Sequence, residues 1–188
     1  MRILELVKKR LFSSRLRRLA AFGREDRGVT VIEFALLAGP FFAIIAATLE
    51  TALVFLASQV LDSAVQDASR LVRTGQAQAA NYTADTFNTA VCNKLFNLFN
   101  CTNLKIKVSV VSNFATATTN TSPLSPTDPT TWTLVPTYNP GVGQSIIMVQ
   151  VYYKWPIIMT FGGFGLATSS DGTRLMSAVR VFENEPFS

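Results

Sequence analysis

Apolar positions run almost unbroken through residues 29–59, "VTVIEFALLAGPFFAIIAATLETALVFLASQ", where Glu33 and Glu50 are the only charged side chains. Sixteen uncharged residues, Phe34 to Leu49, separate the two acids. As a helix, 29–59 would measure about 46 Å, more than the roughly 30 Å hydrocarbon core of a bilayer. The pattern therefore predicts a transmembrane helix that runs on past the membrane. It continues as "VLDSAVQDASRLVRTGQAQ", residues 60–78, with Leu61, Ala64, Val65, Ala68, Leu71 and Val72 in a helical stripe and Gly75 as a stop. One long helix is expected from about residue 29 to 74, followed by a short one over 84–98 with Phe87, Val91, Leu95 and Phe99 four apart.

Beyond residue 103 the period changes to two. "LKIKVSVV", 104–111, alternates Leu104, Ile106, Val108 and Val110 with Lys105, Lys107 and Ser109, which predicts a strand. Segments 145–155 and 174–182 read as two more strands. The Thr/Pro-rich stretch at about 115–145 reads as a long exposed loop, in which Trp132 and Tyr138 either form a contact surface or anchor the loop. "GGFG", 162–165, is a connection without the strand–turn–helix setting of a phosphate loop. The expected fold is α+β: a long N-terminal transmembrane helix packed on a small antiparallel sheet, with residues 60–188 as an exported domain.

Charge sharpens this picture. Residues 2–27 hold nine Lys or Arg against Glu5, Glu25 and Asp26, whereas 29–188 hold eight basic and nine acidic residues. The basic character belongs to the leader, so the folded body lacks the Lys/Arg cluster that nucleic-acid binding needs. Residues 1–28 show an amphipathic pattern (Ile3, Val7, Leu11, Phe12, Leu16, Leu19) that suits an anionic membrane face or a solvated basic leader. Basic residues before the apolar run and few soon after it predict a cytoplasmic amino end. An ordinary secretory signal fits poorly, because the run exceeds an h-region and leads into a helical pattern without an A-x-A site.

Histidine is absent, which removes His-based general bases and most zinc or copper sites. Among nucleophile arrangements only a Ser–Lys pair remains, using Lys154 and the serines of "TSSDGT", 168–173; "SSDG" reads more simply as a β-turn. No catalytic residue, cofactor, metal or small-molecule substrate is expected. Asn81, Asn100 and Asn120 begin N-x-S/T sequons, a weak signal in an Asn- and Thr-rich chain. The two cysteines, Cys92 and Cys101, flank "NKLFNLFN". Held in one helix they would stand about 13.5 Å apart, whereas a disulfide tolerates about 4.4–6.8 Å between Cα atoms. Export to an oxidising compartment would favour a disulfide closing a turn; two buried thiols are the alternative.

Glu33 is the chemically pointed residue. A lone carboxylate in hydrocarbon costs at least about 2.5–3.5 kcal/mol, so it needs a partner or a function. It either sits at headgroup level paired with Arg27, or the chain is cut after Gly28. In that case the new α-amino group of Val29, one helical turn away, can neutralise a carboxylate of its own or a neighbouring subunit. Ala35, Gly39, Ala43, Ala47 and Thr51 place a small residue at every fourth position, a ladder that lets helices approach in lipid or that reflects ordinary membrane-helix composition. Pro40 should kink or loosen the helix. Glu50, about 25 Å from Glu33 along an ideal helix and on another face, should snorkel to water.

"Basic leader–G–VTVIEF–long apolar helix" resembles the class III signal of type IV pilins and pseudopilins, and the Glu33–Phe34 pair resembles its Flp, or type IVb, subgroup. With Pro40, "ATLETALVF", "SAVQDASRLVRTGQ" and the terminal "SAVRVFENEPF", the chain resembles TadE-like minor pseudopilins of the Tad pilus assembly system. The resemblance implies cleavage at Gly28–Val29 by a separate prepilin peptidase, Glu33 as the assembly glutamate with Phe34 beside it in the assembly and peptidase-recognition pattern, and Val29 as the N-methylated residue if methylation occurs. It implies an inner-membrane, single-pass protein acting in Tad/Flp pilus assembly or secretion, with other minor pseudopilins, the pilus platform and lipid as partners. The alternative is an uncleaved, signal-anchored envelope protein whose exported domain binds a partner.

Overall fold

The computed structural model describes residues 26–118, 122–161 and 164–187. The expected leader helix lies outside them, as do Asn120 and the first two glycines of "GGFG", Gly162 and Gly163. Residues 1–46 and 47–188 form two units. Helix α1 (Asp26–Arg73) passes through Pro40 without a break. In the first unit its apolar side chains are exposed, Phe34, Leu37 and Phe42 among them.

The second unit is the folded domain. Its part of α1 buries Val54, Ala57, Leu61, Ala64, Val65, Ala68 and Val72, a single face at helical spacing. A short turn of helix, α2 (Gln76–Ala79), and α3 (Ala84–Cys92) follow. Thr83 and Thr86 close a reciprocal cap at the start of α3. The sheet comprises β1 (Lys105–Val111), β2 (Thr137–Tyr138), β3 (Ile146–Pro156) and β6 (Thr173–Glu183), in the order β2-β1-β3-β6. A separate two-residue pair, β4 (Thr160–Phe161) and β5 (Phe164–Gly165), forms a hairpin between β3 and β6.

The fold is α+β as expected, with two refinements. The sheet is mixed, because β2 joins β1 in parallel while the other pairings are antiparallel. Helix α3 ends at Cys92 and not near 98, since the chain turns through Phe96 and Asn97 at positive φ to bring Cys101 back. Cys92 and Cys101 are joined, with Cα atoms 5.9 Å apart.

The core lies between α1, α3 and one face of the sheet. Ile147, Val149, Val151 and Tyr153 of β3 face it, together with Leu104, Val108, Met176 and Ala178. Phe87 packs on Tyr138 with ring centroids 5.4 Å apart, and Phe99 on Tyr153 at 4.9 Å. β3 is also buried on its other face, at Met148, Gln150 and Tyr152. There the Thr/Pro segment folds back over the sheet, with Thr116, Ser122, Thr133 and Leu134 lining a cavity alongside Met148 and Gln150. Its described residues do more than an exposed loop would: Leu124 bridges Trp132, and Pro123 and Leu124 are buried.

Candidate functional site

Gly28, Val29, Glu33, Phe34, Ala35, Gly39 and Pro40 all stand on exposed positions of α1. A Cβ built at Gly28 or Gly39 would meet nothing within 4 Å, so none of the described residues packs against either. None of residues 28–53 is buried, and burial begins at Val54. One helix can accept this much apolar exposure only where lipid or another helix covers it. The residues Gly28–Arg73 have the length and apolarity to cross a bilayer, with a mean hydropathy of 2.2 over the most apolar window. Ala43 is half-buried, and Ala47 and Thr51, the last two members of the small-residue ladder, are exposed.

Where the exposed stretch gives way to the packed one, Glu50 does something that periodicity could not reveal. Its carboxylate accepts the backbone N–H of Ile158 at 2.6 Å and that of Met159 at 3.1 Å. Glu50 is therefore held by the domain and does not reach freely into water. Three turns on, Asp62 of α1 pairs with Arg180 of β6. The register sets Arg180 opposite Val149, on the sheet face turned to the helix. At the end of α1 the terminal "ENEPF" closes a latch. Glu185 donates its N–H to the Arg73 carbonyl at 2.8 Å, and the side chains of the two residues stand 3.6 Å apart. Asn184, buried, donates to the carbonyls of Pro140 and Val142. Gly75, at φ +77°, lies under the Phe187 ring, which any Cβ there would meet at 2.7 Å. The far ends of the sequence motif thus converge on one helix.

A second cluster sits on the outer face of the sheet. The Lys154 ammonium donates to the Thr130 carbonyl at 2.6 Å and to Asp171 at 3.0 Å, and lies 5.6 Å from the centre of the Trp132 ring. Lys154 therefore clips the Thr/Pro segment and the "SSDG" turn to β3, and its ammonium is occupied by these partners. Trp132 and Tyr138 both act as anchors, Trp132 under Lys154 and Tyr138 against Phe87. Burial raises the Tyr138 hydroxyl to about 12. Among the described residues no group of three or more Cys, Asp or Glu could hold a metal ion.

Two carboxylates make this clip sensitive to acid. The hydroxyls of Thr130 and Thr131 donate to Asp128 and hold it down at about 2. The Thr173 hydroxyl, with Lys154, lowers Asp171. Depressed folded values mean that the contribution is present above the ordinary carboxylate range, near about 4, and is lost as pH falls through the folded values. Amide exchange at Ser125, Thr131 and Thr133 should stay slow down to about pH 4 and quicken between there and about 2. Opening with a midpoint above pH 5 would contradict the assignment.

These features define a class: an α+β protein on one long N-terminal helix that fits a single-pass membrane anchor and whose second half belongs to the core. A family model described as TadE-like protein matches residues 28–70. The match runs along the long helix from Gly28 to within one turn of its end, and the sheet lies outside it. No curated protein and no solved structure matches the chain.

Proposed function

We propose that this chain is a minor pseudopilin of a Tad pilus system, processed by a prepilin peptidase at Gly28–Val29 and not itself an enzyme. The observation that carries the reading is the start of the TadE-like match at Gly28, in the first turn of a helix whose apolar run is unburied as far as Leu53 and holds Glu33 near its start. Cleavage leaves Val29 with a free or N-methylated amine that pairs with Glu33 and sets helix register in an assembly. Phe34 completes the recognition sequence. Ala35, Gly39, Ala43 and Ala47 give neighbouring subunits a close approach, and Pro40 loosens the helix between them. The basic leader stays cytoplasmic, α1 crosses the inner membrane once, and the domain beyond Glu50 is exported. The Cys92–Cys101 bond suits that oxidising side. Related minor pseudopilins and the inner-membrane pilus platform are the partners.

Deleting the chain from its own cells tests this. Pilus fibres counted by electron microscopy should fall to background and return with the intact chain. Undiminished fibres in the deletion strain would contradict the proposal.

A further inference from the structure

We propose that the free edge of β6 is a docking site for an extended acidic segment of another protein, which adds to the sheet as a further strand and lays a carboxylate against Arg70. The inference goes beyond the processing reading and does not depend on it. β6 ends the order β2-β1-β3-β6, so one of its sides has no neighbouring strand. Its hydrogen bonds show which backbone groups face that side. The Thr173 carbonyl accepts the N–H groups of Thr168 and Ser169, the Leu175 N–H donates to the Thr168 hydroxyl, and the Val179 carbonyl accepts from Arg180. None of these partners belongs to β3, so the odd-numbered residues turn their backbone groups outward while the even-numbered ones pair with β3. At Ser177, Val181 and Glu183 both outward groups lack a partner among the described residues, and so does the Val179 N–H. An open row of this kind is a template for another strand.

The cleft beside that edge selects the charge. Ser69, Arg70 and Arg73 of α1 line it together with Arg180, Val181 and Phe182 of β6, around a volume of about 450 Å³. Most of its charges are taken: Arg180 pairs with Asp62, Arg73 with Glu185, and Asp67 with Lys94. Arg70 alone among the charges lining the cleft has no ionic partner among the described residues. The hydroxyl of Ser69, a residue only 4% exposed, has no hydrogen-bond partner there either. An arginine without an acid and a buried hydroxyl without an acceptor stand on successive residues, and a carboxylate supplies what both lack. A second copy of β6 does not bring one. Its even-numbered side chains face α1 and the core, and Met176, Ala178, Arg180 and Phe182 include no acid. Two copies paired edge to edge about a two-fold axis would bring Arg180 toward Arg180, which like-charge repulsion disfavours. The occupant is therefore a different chain, whose strand carries an acid on the face that meets α1.

The probe is a fluorescein-labelled peptide of alternating valine and threonine with one central glutamate, titrated into the full chain in micelles and read by anisotropy. It should bind about tenfold more tightly than its glutamine twin, the scale of a hydrogen bond to a charged group. Arg70→Gln should lower the glutamate peptide to the level of the glutamine peptide and leave the latter unchanged. Val181→Pro removes an outward N–H without touching the β3 ladder, and should abolish binding of both. A twin peptide N-methylated along its backbone should fail against the unaltered chain, which tests strand addition even where the proline variant does not fold. Amide exchange at Ser177, Val179 and Val181 should slow on binding. No binding of the glutamate peptide would overturn the proposal, as would equal binding of the glutamate, glutamine and N-methylated peptides, or binding that leaves exchange in β6 unchanged. Exchange in β6 that slows with protein concentration alone would mean that a second copy covers the edge, and would overturn it too. None of these readings involves cleavage after Gly28, so they stand or fall separately from the processing step.

Discussion

Phe87→Ala should cost the folded domain about 3–5 kcal/mol, a large share of the roughly 5–15 kcal/mol that holds a domain of this size folded. Phe87 is fully buried on α3, in the core with Leu61 and Val65 of α1, and stacks on Tyr138 of β2. Truncation would leave a cavity between rigid elements that cannot close it, because the Cys92–Cys101 bond holds the end of α3. Denaturant midpoints by near-ultraviolet circular dichroism on the full chain in micelles measure the loss. Phe114→Ala, at a side chain 55% exposed, should cost under about 0.5 kcal/mol and serves as the reference. A Phe87→Ala loss as small as that would contradict the assigned core.

Glu33→Gln should leave peptidase cutting intact while abolishing recruitment into the pilus assembly. In the proposed assembly the acid faces the new amine of Val29 in lipid, and removing it leaves an unpaired ammonium there. An unpaired charge in hydrocarbon costs at least about 2.5–3.5 kcal/mol, on the order of a hundredfold in an association constant. Recovery of the variant with cross-linked pilus partners should drop accordingly, at unchanged cellular level and unchanged mature mass. Recovery equal to wild type would show that Glu33 does not set register.

Much of the fold was legible because α1 and the strands carry strong periods. The stripe from Leu61 to Val72 has one buried face, and Leu104, Ile106 and Val108 alternate onto the core as their spacing predicts. Val110 departs from that alternation and is exposed at the end of β1, where the core no longer reaches. The pattern "FNTAVCNKLFNLF" continues a helical spacing through Leu95 and Phe99, yet the disulfide imposes a turn that spacing alone cannot show. Both residues still enter the core from that turn, which is why the period persists where the helix does not. The docking of the Thr/Pro segment was hidden for another reason. Its attachment runs through backbone carbonyls and single side chains, Lys154 to Thr130 above all, and these leave no periodic trace. Glu50 belongs to the same kind. Its partners are backbone N–H groups more than a hundred residues away, so only its odd position in an apolar run hinted that it had a partner. Gly28, Glu33 and Phe34 are the converse case: they are plain in the sequence, and all three stand at exposed positions among the described residues.

The central claim turns on the mature amino terminus. A C-terminally tagged full chain, expressed with and without a prepilin peptidase, can be purified and its terminus read by mass spectrometry. The account predicts a start at Val29 only when the peptidase is present, lost in a Gly28→Leu variant and retained in Glu33→Gln. A chain that keeps Met1 in cells with an active peptidase would contradict it, and α1 would then be a membrane anchor without a processing step.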